Sequence, residues 1–326
     1  MAPASKPRVL VASPTFDEVL QQLRAHFEVE ANEGPEPWTG EAFIQRLHGK
    51  QGALLTGAQT VDQAVLAQVP GLRMVANMAV GYNNLDVAAL QAAGVCASNT
   101  PDVLTETTAD FGFALLLAAA RRITEAERFL RAGHWKSWRF DMLLGADVHG
   151  STLGIIGMGR IGQAIARRAV HGFGMRLLYH NRRRLPAATE AALGARYAST
   201  KQELLAQADH VLLALPYTPA AHHLIGAREL ALMKPSATLV NIARGGIVDD
   251  RALARALAQR QIAAAGLDVF EHEPQLAPEL LALDRVVLTP HIASASRRTR
   301  LAMAQLAADN LIAFFETGRA LTPVTR

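Results

Sequence analysis

Three short stretches carry side chains that could do acid–base and anion-binding chemistry: Arg244 in "NIARGGIVDD", Glu273 in "AAAGLDVFEHEP" and His291 in "LTPHIASAS". Each stands at or just beyond the end of an apolar, strand-like run. That is the edge where ligands bind in open α/β sheets. Histidine titrates near neutral pH and suits proton transfer to a carbonyl oxygen. A carboxylate bonded to the imidazole would fix its tautomer and favour its charged form. An arginine suits a carboxylate and a polarised carbonyl. Taken singly, each has a plainer reading: Arg244 on the surface, Glu273 in a solvated acidic turn with Glu271, His291 as a satisfied structural histidine. Together, beside a nicotinamide, they form a coherent set for reducing a ketone by hydride and proton.

A fourth stretch, "TLGIIGMGRIGQAIARRAV", points to such a dinucleotide. The segment Gly157–Met158–Gly159–Arg160–Ile161–Gly162 has the spacing G-x-G-x-x-G, between a strand and a good helix former. In that context Gly157 allows the tight turn, Gly159 lets the backbone approach a pyrophosphate, and Gly162 lets the helix pack close to the strand. The helix N-terminus then faces the anion. The next strand, "MRLLYHN", ends where an adenosine ribose would lie. A site for NAD usually has Asp or Glu there. Here His180, Asn181, Arg182, Arg183 and Arg184 follow, with no carboxylate before Glu190. Donors and positive charge suit a 2′-phosphate. The predicted cofactor is therefore NADPH (NADP+), with NADH less favoured.

These groups need a scaffold with several parallel strand ends. The first half offers strands in "RVLVAS", "GALLT", "LRMVANM" and "GVCAS", separated by helical patterns such as "DEVLQQLRAHF" and "VDQAVLAQV". The second half repeats the scheme with "TLGIIG", "RLLYHN", "HVLLALP", "TLVNIA", "AAAGLDVF" and "RVVLTPH". Strands this apolar, alternating with helices, predict two α/β domains with parallel sheets covered on both faces. Residues 100–133 read as one long helix and residues 294–318 as another, the second stopping at Gly318. If these helices carry the chain between domains, the first domain is discontinuous.

Bulk properties narrow the class. A length of 326 residues suggests two cores. Hydrophobic residues make up 50% and charged ones 19%, which argues against disorder. The net charge of +4 is dispersed, and Arg182 to Arg184 are too small a cluster for a nucleic-acid face. The single cysteine, Cys96, rules out an intrachain disulfide and reads as a small buried residue. "MAPASKPRVLVASP" lacks a signal-like apolar core, and "FGFALLLAAA" is too short to span a bilayer. The expectation is a soluble, cytoplasmic protein without membrane or nucleic-acid partners. His222 and His223 are adjacent, so on a helix or strand they would face apart, and no metal site is expected.

With "NMAVGYNNLD", "NTPDVLTETTAD", "GIIGMGRIGQAIARR", "NIARGGIVDD", "AAGLDVFEHEP" and "PHIASAS" in this order, the chain resembles the D-isomer-specific 2-hydroxyacid dehydrogenase family. It is most similar to the glyoxylate/hydroxypyruvate reductase and 2-ketogluconate reductase branch, from about residue 77 to the C-terminal helix. The resemblance implies two Rossmann-like, doubly wound parallel-sheet domains with a cleft between them. One is flavodoxin-like and discontinuous, binding substrate (1–100 and 291–326), and the other binds NAD(P) (101–290). It implies that Arg244 binds the substrate carboxylate and carbonyl, that His291 is the general acid, and that Glu273 pairs with it. Val80 and Gly81 would offer backbone N–H groups to the carboxylate. Asp268 and the backbone at Ala243 would lie near the nicotinamide carboxamide. Leu215, Pro216 and Thr218 would line the cofactor site, and Ser294 would sit beside it.

A homodimer is implied as well. In this branch a tryptophan matching Trp138 of "GHWKSWRFDMLLG" reaches the neighbouring subunit's pocket, whereas Trp135 and Trp138 could instead simply pack in the interface. The implied substrates are small 2-keto acids, glyoxylate and hydroxypyruvate first. The alternatives are a 2-ketogluconate reductase, a phosphoglycerate dehydrogenase, which would normally prefer NAD, and a dinucleotide-sensing corepressor-like binding protein.

Overall fold

The computed structural model describes residues 5–325. Residues 1–4, part of the N-terminal stretch weighed as a leader, and residue 326 lie outside them. The chain divides into two units, Met1–Leu104 with Ala295–Arg326, and Thr105–Ser294. Both divisions fall slightly later than the positions 100 and 290 expected. The His291 segment therefore belongs to the second unit, because the His291 N–H bonds to the Asp268 carbonyl.

The first unit contains β1 (Arg8–Val11), α1 (Asp17–His26), β2 (Glu28–Ala31), α2 (Gly40–Leu47), β3 (Gly52–Leu55), α3 (Gln63–Gln68), β4 (Met74–Asn77), α4 (Val87–Ala92) and β5 (Cys96–Ser98), then the C-terminal α13 (Arg297–Thr317). Its five strands are all parallel, in the order β2-β1-β3-β4-β5. Alternate strand residues serve opposite faces. Val9, Val11, Leu54, Met74 and Ala76 join the side chains of α1 and α13, while Leu10, Ala53, Leu55 and Val75 join those of α2, α3 and α4. Two buried faces explain why these strands lack the polar alternation of a half-exposed sheet. The Ser296 side chain caps α13 at Thr299, and Gly318, at φ +77°, ends it as the sequence predicts.

The second unit contains α5 (Thr105–Ala120), α6 (Ile123–Arg131), β6 (Thr152–Ile156), α7 (Arg160–Arg167), β7 (Arg176–His180), α8 (Ala187–Leu193), β8 (Ala195–Tyr197), α9 (Lys201–Gln207), β9 (His210–Leu213), α10 (Ala227–Leu230), β10 (Thr238–Asn241), α11 (Asp250–Ala258), β11 (Ala264–Leu267), α12 (Pro278–Leu281) and β12 (Val286–Leu288). Seven parallel strands run in the order β12-β11-β10-β9-β6-β7-β8. Chain order reverses where β6 lies beside β9, which creates the crevice at which doubly wound sheets bind ligands. Again both sheet faces are packed: Val211, Leu213 and Leu239 on one, Leu153, Ile155 and Val240 on the other.

The single helix expected over 100–133 is two. Arg122 adopts φ +55° between α5 and α6, and its guanidinium bonds to Glu125. The cause is tertiary. The 144–146 backbone crosses the end of α5, where the Ala146 N–H caps the Ala120 carbonyl at 2.9 Å. At Gly145 a Cβ would lie 2.4 Å from that carbonyl oxygen, so only glycine fits the crossing. Among the described residues, no helix is long and apolar enough to cross a membrane.

Candidate active site

The exit of β11 organises the site. Asp268, fully buried, accepts bonds from the Ile292 N–H (2.9 Å), the Ala293 N–H (2.8 Å) and the Thr289 hydroxyl (2.7 Å). It thereby grips the loop after β12 and holds His291 at φ +55°, a backbone region that non-glycine residues seldom occupy. The resemblance placed Asp268 beside the nicotinamide. In this structure its carboxylate serves the His291 loop.

His291 Nδ1 lies 2.7 Å from Glu273 Oε2. The other carboxylate oxygen, Oε1, accepts the Phe270 N–H at 2.9 Å. Glu273 is thus oriented from both sides. Burial raises its pKa, but the bond to His291, that ring's charge, the Phe270 N–H and Arg244 together hold it below the ordinary carboxylate value. With Nδ1 engaged, Nε2 is the ring nitrogen left for proton transfer.

Arg244 stands on the loop after β10. Asn241, buried at the strand's end, accepts the Ala243 N–H (3.0 Å) and donates to the Arg244 carbonyl (3.2 Å), closing the turn. A Cβ on Gly245 would lie 1.7 Å from the Phe270 carbonyl oxygen, so this loop packs directly on the backbone that orients Glu273. Burial pushes the Arg244 pKa down, and the Glu273 charge opposes the shift. The three residues proposed for catalysis are therefore brought together by Asp268, Asn241 and the Phe270 peptide, none of which the sequence reading weighed as positioning groups. The one available signal was polarity, Asn241 and Asp268 each ending an apolar strand.

The glycine turn follows β6 at the chain reversal. Gly157 adopts φ +101°, and a Cβ there would lie 2.5 Å from the Ala214 carbonyl oxygen and 2.7 Å from the Leu215 nitrogen. A Cβ on Gly162 would lie 2.3 Å from the Gly157 carbonyl oxygen, whereas one on Gly159 would meet open space. This is the form a dinucleotide cradle takes: two glycines for packing, and a third with room for a phosphate before α7. Met158, Arg160 and Ile161 lie in the same turn and first helical residues. Leu215, Pro216 and Thr218 continue from β9 beside it.

Asn181 Oδ1 accepts the Met158 N–H at 2.7 Å, fastening the glycine turn to the end of β7. The three arginines beyond do not act alike. Arg184 makes a two-point ion pair with Glu190, its Nε at 2.9 Å and Nη2 at 2.8 Å, and lies over the Tyr197 ring. That guanidinium, and then the Tyr179 hydroxyl, hold Glu190 below the ordinary carboxylate pKa. Arg184 is thereby engaged within its own loop. All three arginines are exposed.

In the first unit, Asn99 Nδ2 donates to the Val80 carbonyl (2.7 Å) and Asn77 Nδ2 to the Gly81 carbonyl (3.0 Å), fixing that turn from its carbonyl side. Trp138 is 71% exposed and Phe140 88%, their rings edge to face. Ser294 is the last residue of the second unit. The reading that adjacent histidines face apart is overturned: His223, at φ +49°, turns back so that its ring stacks on His222 at 3.9 Å.

A chain reversal with a glycine turn and an Arg–Glu–His set at the same sheet edge defines a dinucleotide-dependent oxidoreductase. The model for the "D-isomer specific 2-hydroxyacid dehydrogenase, NAD binding domain" matches residues 113–293. A glyoxylate reductase of Thermococcus onnurineus (strain NA1) is 48% identical over 313 residues, 95% of this chain and 93% of the relative. A solved protein from Thermus thermophilus is 41% identical with a TM-score of 0.89, covering 98% of this chain and 100% of that one. The NADPH-dependent glyoxylate/hydroxypyruvate reductase of Sinorhizobium meliloti, solved with NADP and malonate, is 37% identical with a TM-score of 0.86, covering 98% and 97%. The chain belongs to the D-isomer-specific 2-hydroxyacid dehydrogenase family, oxidoreductases that act on CH–OH donors.

The Asp268 grip can be tested directly. Asp268→Asn keeps the shape but turns an amide donor toward backbone N–H groups. It should cost about 1.5–3 kcal/mol in urea unfolding, the usual worth of bonds to a charged acceptor. Turnover should fall with it; wild-type stability and turnover would show that the His291 loop holds itself.

Proposed function

We propose that the chain is an NADPH-preferring reductase of small 2-keto acids, glyoxylate and hydroxypyruvate first, yielding D-2-hydroxy acids. The observation that carries this reading is the His291–Glu273 pair, with the buried Arg244 loop packed on its supporting backbone. The printed names of the relatives, glyoxylate reductase and NADPH-dependent glyoxylate/hydroxypyruvate reductase, support the substrate class.

When bound, the nicotinamide cofactor supplies the hydride. Arg244 holds the substrate carboxylate and its carbonyl oxygen by charge-assisted bonds. His291 Nε2 donates a proton to that oxygen in reduction and takes it from the hydroxyl in reverse. Glu273 keeps Nδ1 engaged and stabilises the imidazolium. The backbone N–H groups of Val80 and Gly81, in the first unit, are assigned to carboxylate binding. Gly157 to Gly162 and the start of α7 hold the pyrophosphate, with Leu215, Pro216, Thr218, Ala243 and Ser294 lining the site. Arg182 and Arg183 read the 2′-phosphate, while Asn181 keeps their loop in register with the glycine turn. Asp268 acts by positioning His291.

We also infer a homodimer. Trp135, Trp138, Phe140 and Leu144 expose large apolar surface on one arm, along with Ile123 and Leu130 of α6. A second copy of this chain is the occupant proposed for that surface. Sedimentation should give twice the chain mass, and Trp138→Asp with Phe140→Asp should shift it toward the monomer; a monomeric wild type would sink the inference.

Initial rates with glyoxylate and hydroxypyruvate, each with NADPH and NADH, test the main reading. His291→Ala should lower turnover by about 10²–10⁴-fold, the usual worth of a positioned general acid, while NADPH still binds. Full activity in that variant would remove the proton-donor assignment. Arg182→Ala with Arg183→Ala should raise KM for NADPH and leave NADH unchanged, whereas Arg184→Ala should act mainly on stability. Equal loss with both cofactors would mean the arginines do not read the phosphate.

A further inference from the structure

We infer that His222, His223 and Glu271 form a binding site for a divalent transition-metal ion of the zinc and cobalt class, separate from the Arg244–Glu273–His291 set. The site arises from an unusual turn. After the helical turn Pro219–Ala221, His222 is extended and His223 swings to φ +49°. The two imidazoles then stack at 3.9 Å with 20° between their planes, on one side of the chain. Glu271, from the loop after β11, closes the group. Its Oε1 is 2.9 Å from His223 Nε2 and 3.8 Å from His222 Nε2. The three ligand atoms all lie within 4.8 Å of one another.

Those separations suit a small ion. With bonds of about 2.0–2.1 Å, a tetrahedral ion holds its ligand atoms roughly 3.3 Å apart. The two separations from Glu271 bracket that value, and the two stacked rings turn out of parallel on loading, because a bound ion lies in the plane of each imidazole. Two imidazoles and a carboxylate favour zinc-like ions over magnesium or calcium, which prefer oxygen ligands. The His222 and His223 side chains are 46% and 37% exposed, which leaves access for the ion and for a water as fourth ligand.

A backing group is also present. The Tyr217 oxygen lies 3.3 Å from His222 Nδ1, its ring edge-on to the imidazole. A His222 Nδ1–H donated to that oxygen leaves the Nε2 lone pair directed at the ion, the arrangement that orients metal-bound histidines. His223 bonds Glu271 through Nε2, so loading moves its proton to Nδ1, a tautomer change of a neutral ring. A plain His223–Glu271 pair would need neither the second stacked imidazole nor its tyrosine.

The place of the site gives it a consequence. The His223 N–H donates to the Gly246 carbonyl at 2.7 Å, two residues beyond Arg244. Glu271 stands two residues before Glu273, and its own N–H bonds to Asp250. A bound ion would clamp the loop after β9 to the loop that carries Glu273, against the turn that follows Arg244.

The test uses the full chain without a histidine tag. Zn²⁺ is titrated by calorimetry and Co²⁺ by visible absorption, each as the metal alone. Wild type should take up a single equivalent and show the ligand-field bands of cobalt held by nitrogen and oxygen. His222→Ala and His223→Asn should each weaken binding by about 10–100-fold or more. Asparagine is chosen because it tolerates the left-handed backbone at 223. Cys96→Ser should bind as wild type does. Zn²⁺ should raise the wild-type Tm by mass action and leave a variant combining His222→Ala with His223→Asn unmoved. Should His223→Asn fold poorly, the exposed His222→Ala decides alone. No uptake by wild type, or uptake undiminished in His222→Ala, overturns the site, and neither readout depends on the reductase reaction.

Discussion

The arrangement at the sheet edge depends on one buried charge. Asp268 ends β11 with no surface exposed, and a carboxylate can remain there only if its oxygens are satisfied. Two backbone N–H groups and a hydroxyl of the 289–293 loop satisfy them. The loop cannot leave without stranding the charge, so His291 is held at its left-handed backbone angle. The same strand exit supplies Phe270, whose N–H turns Glu273 toward the imidazole and whose carbonyl leaves room only for glycine at 245. One strand end thus fixes His291, the carboxylate that bonds it and the approach of the Arg244 loop. Precision of this kind is more easily built on rigid strand ends than on free loops.

The glycine turn obeys a parallel logic. Gly157 is pressed against the backbone leaving β9 and Gly162 against Gly157, so a side chain at either would separate β6 from α7 or from its neighbour strand. Only Gly159 faces open space, where a phosphate can approach. Asn181 then ties this turn to the end of β7. The loop after β7 is thereby set by the same strands that set the glycine turn.

Legibility in the sequence followed burial. Central strands such as "TLGIIG" and "HVLLALP" were readable because both faces are packed and no polar alternation dilutes the apolar run. The edge strands β2 and β8 were not, since "EVEA" and "ARY" are short and partly exposed and resemble loops. The break at Arg122 left no local sign, because what ends α5 is a glycine more than twenty residues later in the chain. Motif residues could be named, but what holds them could not. Asp268 was assigned to the cofactor, yet only the fold reveals the backbone donors it serves. Arg184 looked like its neighbours until Glu190 folded back onto it. Adjacent histidines face apart only in periodic helix or strand geometry, and a left-handed residue stands at 223.

The charge balance around Arg244 bears on why an anion should be the preferred substrate. Burial disfavours its guanidinium charge; the Glu273 charge opposes that cost, and Nη1 donates to the Ala243 carbonyl at 2.6 Å. That carboxylate also serves His291, and it is held below its ordinary pKa mainly against the cost of its own burial. One negative group therefore answers for Arg244 and for the imidazole it bonds. In the proposed reaction, a substrate carboxylate at Arg244 supplies a second negative group to that guanidinium. A neutral ketone brings no such charge and would leave the desolvated guanidinium underpaired as solvent is excluded. Binding of the 2-keto acid thus answers the Arg244 charge as well as placing the carbonyl.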